Sequence, residues 1–216
     1  MTPFTETLFE QRLVAILRSR APGPLVEVAL ALVDGGVRCL EITLPSPGSL
    51  DAVRDLTGKL GDEVAVGMGT VLTAGEVRAA AAAGAGFVVS PDHHPEVVTA
   101  ATELGLGSLP GAFTPTEIVT AWRGGADAVK VFPASVLTPE FFASVRAPLP
   151  DIPLVATGGV DLAGAVAFLR SGAAAVGVGG PLLGTVLDGG EPRPEALEQV
   201  RERAAAFVQA CRRSAA

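Results

Sequence analysis

Apolar positions fall along the chain in two alternating rhythms. Short runs rich in Val, Ile, Leu and Ala occupy 12–17, 38–44, 63–67, 86–89, 107–109, 128–131, 153–156 and 174–178. Their length and β-branched content predict buried strands. Longer stretches with helical spacing lie between them, at 24–35, 49–60, 74–83, 95–104, 115–123, 139–147, 162–171 and 193–213. Thr73, Thr114, Thr138 and Asp161 stand just ahead of such stretches. There a side-chain oxygen can accept from a free backbone N–H of the first turn.

Strands that alternate with helices form a parallel sheet with right-handed crossovers. Eight such units closing on themselves predict an α/β fold, a small (β/α)8 barrel. With 216 residues it is shorter than the usual ~250, so its loops are short. An open doubly wound sheet would lead its first strand into a glycine-rich phosphate loop, but here that strand runs into Arg18-Ser19-Arg20-Ala21-Pro22. No linker or low-complexity segment divides the chain. One domain over 1–216 is expected, with active-site residues at the C-terminal ends of the strands.

Composition narrows the chemistry. Hydrophobic residues make up 49% of the chain, enough for a packed core, yet no uninterrupted apolar run reaches the ~20 residues of a membrane span. The net charge of −7 argues against general nucleic-acid or anionic-membrane binding. Two distant cysteines, and a start without a basic region followed by an apolar stretch, lead us to expect a reduced, cytoplasmic protein. Tyrosine is absent, which excludes schemes that need a Tyr acid. Of the 16 basic residues only Lys59 and Lys130 are lysines.

Lys130 lies in Ala128-Val129-Lys130-Val131-Phe132. Period-two alternation turns Val129 and Val131 toward the helices and Lys130 and Phe132 toward the barrel interior. A desolvated amine there is either a nucleophile toward a carbonyl or half of a structural ion pair. Lys59, near a helix end, reads as a surface cation. Glu41 and Thr43 share one face of another apolar strand, and Glu41 can serve as a general base or as the partner of Lys130. Arg18 ends the first strand, placed either to grip a carboxylate or to sit solvated in a loop. Thr70 follows Gly67-Met68-Gly69, a turn that can also offer an anion a hydroxyl and an N–H. Thr157-Gly158-Gly159 after strand seven and Gly179-Gly180 after strand eight occupy the loops where such barrels commonly bind phosphate. His93 and His94 are the only histidines, and adjacent side chains rarely share one metal, so no metal site is expected.

These segments, in this order, resemble the 2-keto-3-deoxy-6-phosphogluconate/4-hydroxy-2-oxoglutarate aldolase family. The likeness runs through Ala15-Ile16-Leu17-Arg18, Glu41-Ile42-Thr43-Leu44, Gly67-Met68-Gly69-Thr70-Val71-Leu72, Ser90-Pro91 and Leu109-Pro110-Gly111. It continues through Lys130-Val131-Phe132-Pro133-Ala134, Thr157-Gly158-Gly159 and Gly179-Gly180. The resemblance implies a homotrimeric class I aldolase that uses no metal or cofactor. It implies cleavage of 2-keto-3-deoxy-6-phosphogluconate, or its galactonate epimer, to pyruvate and D-glyceraldehyde 3-phosphate. Cleavage of 4-hydroxy-2-oxoglutarate to pyruvate and glyoxylate is a further implied activity. Lys130 would form the Schiff base and Glu41 would move protons. Arg18 and Thr70 would bind the carboxylate, Phe132 would pack on the keto acid, and Gly158, Gly159, Gly179 and Gly180 would hold the phosphate.

Two positions depart from the family pattern. Pro45 stands where many gluconate-type members carry Arg, which resembles the galactonate branch and shifts carboxylate binding onto Arg18. Gly180 stands where a phosphate-binding Ser is usual. Thr157 in turn resembles the gluconate branch, so the two C4 configurations each have a feature in their favour. The alternatives are a phosphosugar isomerase or epimerase, which needs an acid–base pair and often a metal, and a noncatalytic sugar-phosphate-binding barrel, which leaves a strand lysine unexplained.

Overall fold

The computed structural model describes residues 3–214. Among them, nine parallel strands form a nearly closed barrel. They are β1 (Leu13–Leu17), β2 (Cys39–Thr43), β3 (Ala65–Gly69), β4 (Phe87–Val89), β5 (Gly107–Leu109), β6 (Gly111–Ala112), β7 (Val129–Val131), β8 (Leu154–Thr157) and β9 (Ala175–Val178). The hydrogen-bonded order is β5-β4-β3-β2-β1-β9-β8-β7-β6. Its two ends, β5 and β6, are consecutive pieces of chain on either side of Pro110. Proline has no N–H to give a ladder and so splits the strand. Its carbonyl still accepts from the Lys130 N–H at 2.9 Å. Eight staves therefore close the barrel, as the sequence predicts.

Alternation along each strand sorts the core into two layers. Val14, Cys39, Phe87, Val89, Leu109, Ala128, Val155 and Ala175 fill the barrel interior. Leu13, Ala15, Leu40, Ile42, Val129, Val131, Leu154 and Val176 pack outward against the helices. Each fully buried aliphatic side chain is worth about 1.5–3 kcal/mol, so a one-residue slip of any strand would forfeit several such terms at once.

The helices are α1 (Pro3–Gln11), α2 (Leu25–Asp34), α3 (Ser49–Leu60), α4 (Ala74–Ala82), α5 (Pro95–Glu103), α6 (Pro115–Arg123), α7 (Pro139–Arg146), α8 (Leu162–Arg170), α9 (Gly180–Leu183) and α10 (Pro194–Arg213). Thr73 and Thr114 each form a reciprocal capping box, with Glu76 and Glu117. The Asp161 carboxylate accepts from the Gly164 N–H at 2.7 Å. Thr138 departs from expectation. It caps no backbone N–H; its hydroxyl instead helps to hold the Glu140 carboxyl below the ordinary range.

Three further features differ from the pattern-based reading. Helix α1 carries no clear periodic signal, because its apolar face is just Phe4 and Leu8, one turn apart, with the half-buried Phe9 beside them. It plugs the N-terminal end of the barrel, where Phe4 stacks on Phe87 with ring centroids 4.1 Å apart. The third strand begins two residues later than 63–67, since Asp62 and Glu63 belong to an exposed 3-10 turn. It runs on through Gly67 and Gly69, whose glycines suggest a turn. Both face inward, and the room they leave is filled by Phe87 and by Glu41. The short helix α9 was also unforeseen.

Candidate active site

The inward positions nearest the C-terminal ends of the strands converge on a cleft of about 360 Å³. Arg18, Glu41, Lys130, Phe132, Thr157 and the glycine pairs 158–159 and 179–180 line it. Thr70 joins through Arg18, whose Nη2 donates to Thr70 Oγ1 at 3.2 Å. Every residue singled out above for chemistry is thus gathered at one mouth. Lys59 is on the exposed surface of α3. His93 lines a separate hollow that also reaches Phe132, and its Nε2 is buried without a hydrogen-bond partner among the described residues, while His94 lines neither this hollow nor the cleft. Larger hollows, near 520 and 510 Å³, are lined by other residues and hold neither Lys130 nor Glu41. Among the described residues no group of three or more His, Cys, Asp or Glu is arranged to hold a metal ion.

Lys130 sits mid-strand in β7, in register with Gly111 on one side and Val155 on the other. Its side chain is 5% exposed, with Nζ 5.0 Å from the centre of the Phe132 ring. Burial pulls its ammonium below the ordinary lysine range; the Glu41 carboxylate opposes this and the Arg18 cation reinforces it. Glu41, in β2 between Ile16 and Gly67, is 2% exposed. Burial pushes its carboxyl above the ordinary range, against the pull of Lys130 and Arg18. Among the described residues the two make no direct ion pair. Both shifts favour the uncharged forms. A neutral amine beside a protonated carboxyl holds the same number of protons as the ion pair.

Local sequence makes this geometry possible. A Cβ on Gly69 would overlap the Glu41 carboxyl, so only glycine there lets Glu41 turn inward. Gly158 and Gly159 have φ of +94° and +72°, a left-handed backbone that side-chain-bearing residues rarely adopt. Thr70, at φ 60°, is β-branched and adopts that conformation anyway. Such a residue costs about 1–3 kcal/mol and persists where a site needs it. Here it brings the Thr70 hydroxyl to the Arg18 guanidinium.

The sequence reading missed Ile16, Gly177, Leu187 and Asp188, which also line the cleft. Ile16 was available from the alternation Val14, Ile16, Arg18. Leu187 and Asp188 lie at the edge of a Gly/Pro-rich stretch that carries no periodic signal.

A closed parallel barrel with one desolvated amine and one buried carboxyl at its mouth defines a class, the enzymes that use a lysine amine as nucleophile on a carbonyl. Comparison with known proteins makes the assignment specific. A family model described as KDPG and KHG aldolase matches residues 4–190. The chain is 34% identical over 201 residues to the 2-dehydro-3-deoxy-6-phosphogalactonate aldolase of Escherichia coli (strain K12), covering 93% of this chain and 94% of that one. It is 36% identical over 163 residues to the 2-dehydro-3-deoxy-phosphogluconate aldolase of Treponema pallidum (strain Nichols), covering 75% and 77%. A solved structure described as native KDPGal superposes with a TM-score of 0.84 at 33% identity, over 94% of this chain and 95% of that one. The chain belongs to the KDPG and KHG aldolase family.

Proposed function

We propose that this chain, as one aldolase domain over 1–216, cleaves a 2-keto-3-deoxy-6-phospho sugar acid, of gluconate or galactonate configuration, to pyruvate and D-glyceraldehyde 3-phosphate. The observation that carries the reading is the pairing of a desolvated Lys130 with Glu41 in one cleft. Neutral Lys130 Nζ attacks the C2 ketone. Glu41, holding a proton, gives it to the departing oxygen, and water leaves to yield a protonated imine. Glu41, now ionised, takes the proton of the C4 hydroxyl. The C3–C4 bond breaks, its electrons flow into the imine, and the aldehyde departs. The resulting enamine is protonated at C3, and water hydrolyses the imine to pyruvate and free Lys130.

Arg18, held by Thr70, binds the carboxylate, and Phe132 packs on the keto acid. Backbone N–H groups of the 158–159 and 179–180 turns receive the phosphate. Thr157, buried beside Gly177, faces the C4 region. A substrate without phosphate, 4-hydroxy-2-oxoglutarate, needs only the Lys130, Glu41 and Arg18 end of the cleft and is a second candidate. Exposed Leu72, Phe113 and Val136, on loops after β3, β6 and β7, support association of copies, which we take to be a homotrimer in the cytoplasm. No described helix is long and apolar enough to cross a membrane.

Pyruvate release from purified protein supplied with each C4 epimer tests the proposal. Release from at least one epimer, abolished in Lys130→Arg because a guanidinium forms no imine, is the expected result. Full activity in Lys130→Arg would overturn it.

A further inference from the structure

Three buried hydroxyls lie just outside the cleft, and the reaction above uses none of them. They belong to Ser19, Thr43 and Ser46, which are 6%, 0% and 2% exposed. Ser46 Oγ accepts from the backbone N–H of Ser19 at 2.9 Å and lies 2.8 Å from Thr43 Oγ1. Ser19 Oγ lies 2.6 Å from the Ala21 carbonyl and 2.9 Å from the Leu187 carbonyl, either of which can accept its proton. The β2–α3 turn that presents Ser46 is itself braced, since Ser46 N–H donates to the Thr43 carbonyl at 2.9 Å and Ser49 N–H to the Ser46 carbonyl at 3.1 Å.

The Ser19 N–H belongs to the peptide that begins at the Arg18 carbonyl. Ser46 thus fixes the backbone immediately after Arg18, while Thr70 holds the tip of its guanidinium. The two anchors belong to one ring of contacts, because Leu44 N–H donates to the Gly69 carbonyl at 2.8 Å, one residue before Thr70. Arg18 is otherwise exposed, and a long exposed side chain loses considerable rotamer freedom when it is fixed on a ligand. Holding its backbone beforehand removes part of that loss.

We propose that Ser46 is a positioning residue. Its hydroxyl, backed by Thr43, orients Arg18 toward the substrate carboxylate, and the Ser19–Leu187 bond ties that loop to the neighbouring loop that follows β9 and α9. This rests on the reading of Arg18 as the carboxylate ligand. Among the described residues lining the cleft Arg18 is the one arginine, and Ser46 anchors its loop.

The test uses pyruvate, which carries the carboxylate but no phosphate. The readout is the pyruvate concentration giving half-maximal borohydride trapping, measured in wild type, Ser46→Ala, Arg18→Ala and the double variant, with Ser46→Cys as a size-conserving second substitution. The inference predicts a rise of about tenfold in Ser46→Ala, equivalent to ~1.4 kcal/mol, and a smaller rise in Ser46→Cys. The change falls on half-saturation rather than on the fraction trapped at saturation. In the Arg18→Ala background the same substitution adds nothing, because the group it positions is gone. An equal rise in both backgrounds, or no rise in either Ser46 variant, overturns the positioning role while leaving the carboxylate reading intact. An unchanged value in Arg18→Ala overturns that reading and this inference with it.

Discussion

Gly69→Ala places a single methyl group where the Glu41 carboxyl lies. The added Cβ would overlap Glu41 Oε1 and come within 2.5 Å of Cδ and 2.6 Å of Cγ. Ordinary carbon contacts need about 3.5–4.0 Å, so the carboxyl must retreat by about 1 Å or more. The backbone imposes no cost of its own, since Gly69 lies outside the left-handed region. The obstacle is the end of a side chain rather than backbone, so stability falls toward the low end of the ~1–3 kcal/mol typical of overpacking. Catalysis suffers more. A proton-transfer group misplaced by about 1 Å costs on the order of 100-fold in rate, or ~2.7 kcal/mol of transition-state stabilisation. The assay is kcat for pyruvate release, beside a thermal melt to show that the protein folds. Gly75→Ala serves as control, because Gly75 is in the first turn of α4 and an added Cβ would meet only Thr73 Oγ1, at an ordinary contact distance of 3.7 Å. Wild-type kcat in Gly69→Ala would refute the claim that Glu41 works from its observed position.

Two other substitutions probe the ends of the same cleft. Burial lowers the Lys130 pKa below 10.5, so between the folded value and 10.5 the unfolded chain binds more protons and stability rises with pH. Lys130→Met, which removes the desolvated amine, is therefore expected to melt higher than wild type at neutral pH, with the gap closing toward pH 10.5. A gap that widens with pH contradicts the assigned shift. At Gly180 a Cβ meets nothing within 4 Å, so Gly180→Ser fits freely and supplies a hydroxyl. We expect KM for the phosphorylated substrate to fall by about tenfold, with KM for 4-hydroxy-2-oxoglutarate unchanged, as for one added hydrogen bond to a charged group. An equal change for both substrates would remove Gly180 from the phosphate end.

The barrel is legible in the sequence because period-two alternation and helical spacing are both strong in it, and because Lys130 and Glu41 are charges in otherwise apolar strands. The parts that escaped prediction have physical reasons. Gly67 and Gly69 suggest a turn because local pattern cannot register that Phe87 and Glu41 need the space. Pro110 hides the second half of a stave, since only its carbonyl reaches the neighbouring strand. Helix α1 carries too few apolar residues to show a period, and it is held by the open end of the barrel rather than by its own propensity. Ser46 and Leu187 join the site through loop-to-loop hydrogen bonds between residues far apart in sequence, which no local spacing records. Strand alternation turns Lys130 and Glu41 inward but leaves open whether they are catalytic groups or a structural ion pair. Their missing direct ion pair, and the common push of both toward the neutral form, required the three-dimensional structure.

Everything proposed here turns on the amine of Lys130 forming an imine. The most direct measurement is to incubate the protein with pyruvate and borohydride, digest it, and locate the modification by mass spectrometry. The account predicts one reduced pyruvate per chain, on the peptide containing Lys130 and absent from Lys59, with activity lost in proportion to labelling. Complete loss of activity with the label elsewhere, or full activity with Lys130 stoichiometrically labelled, would contradict it.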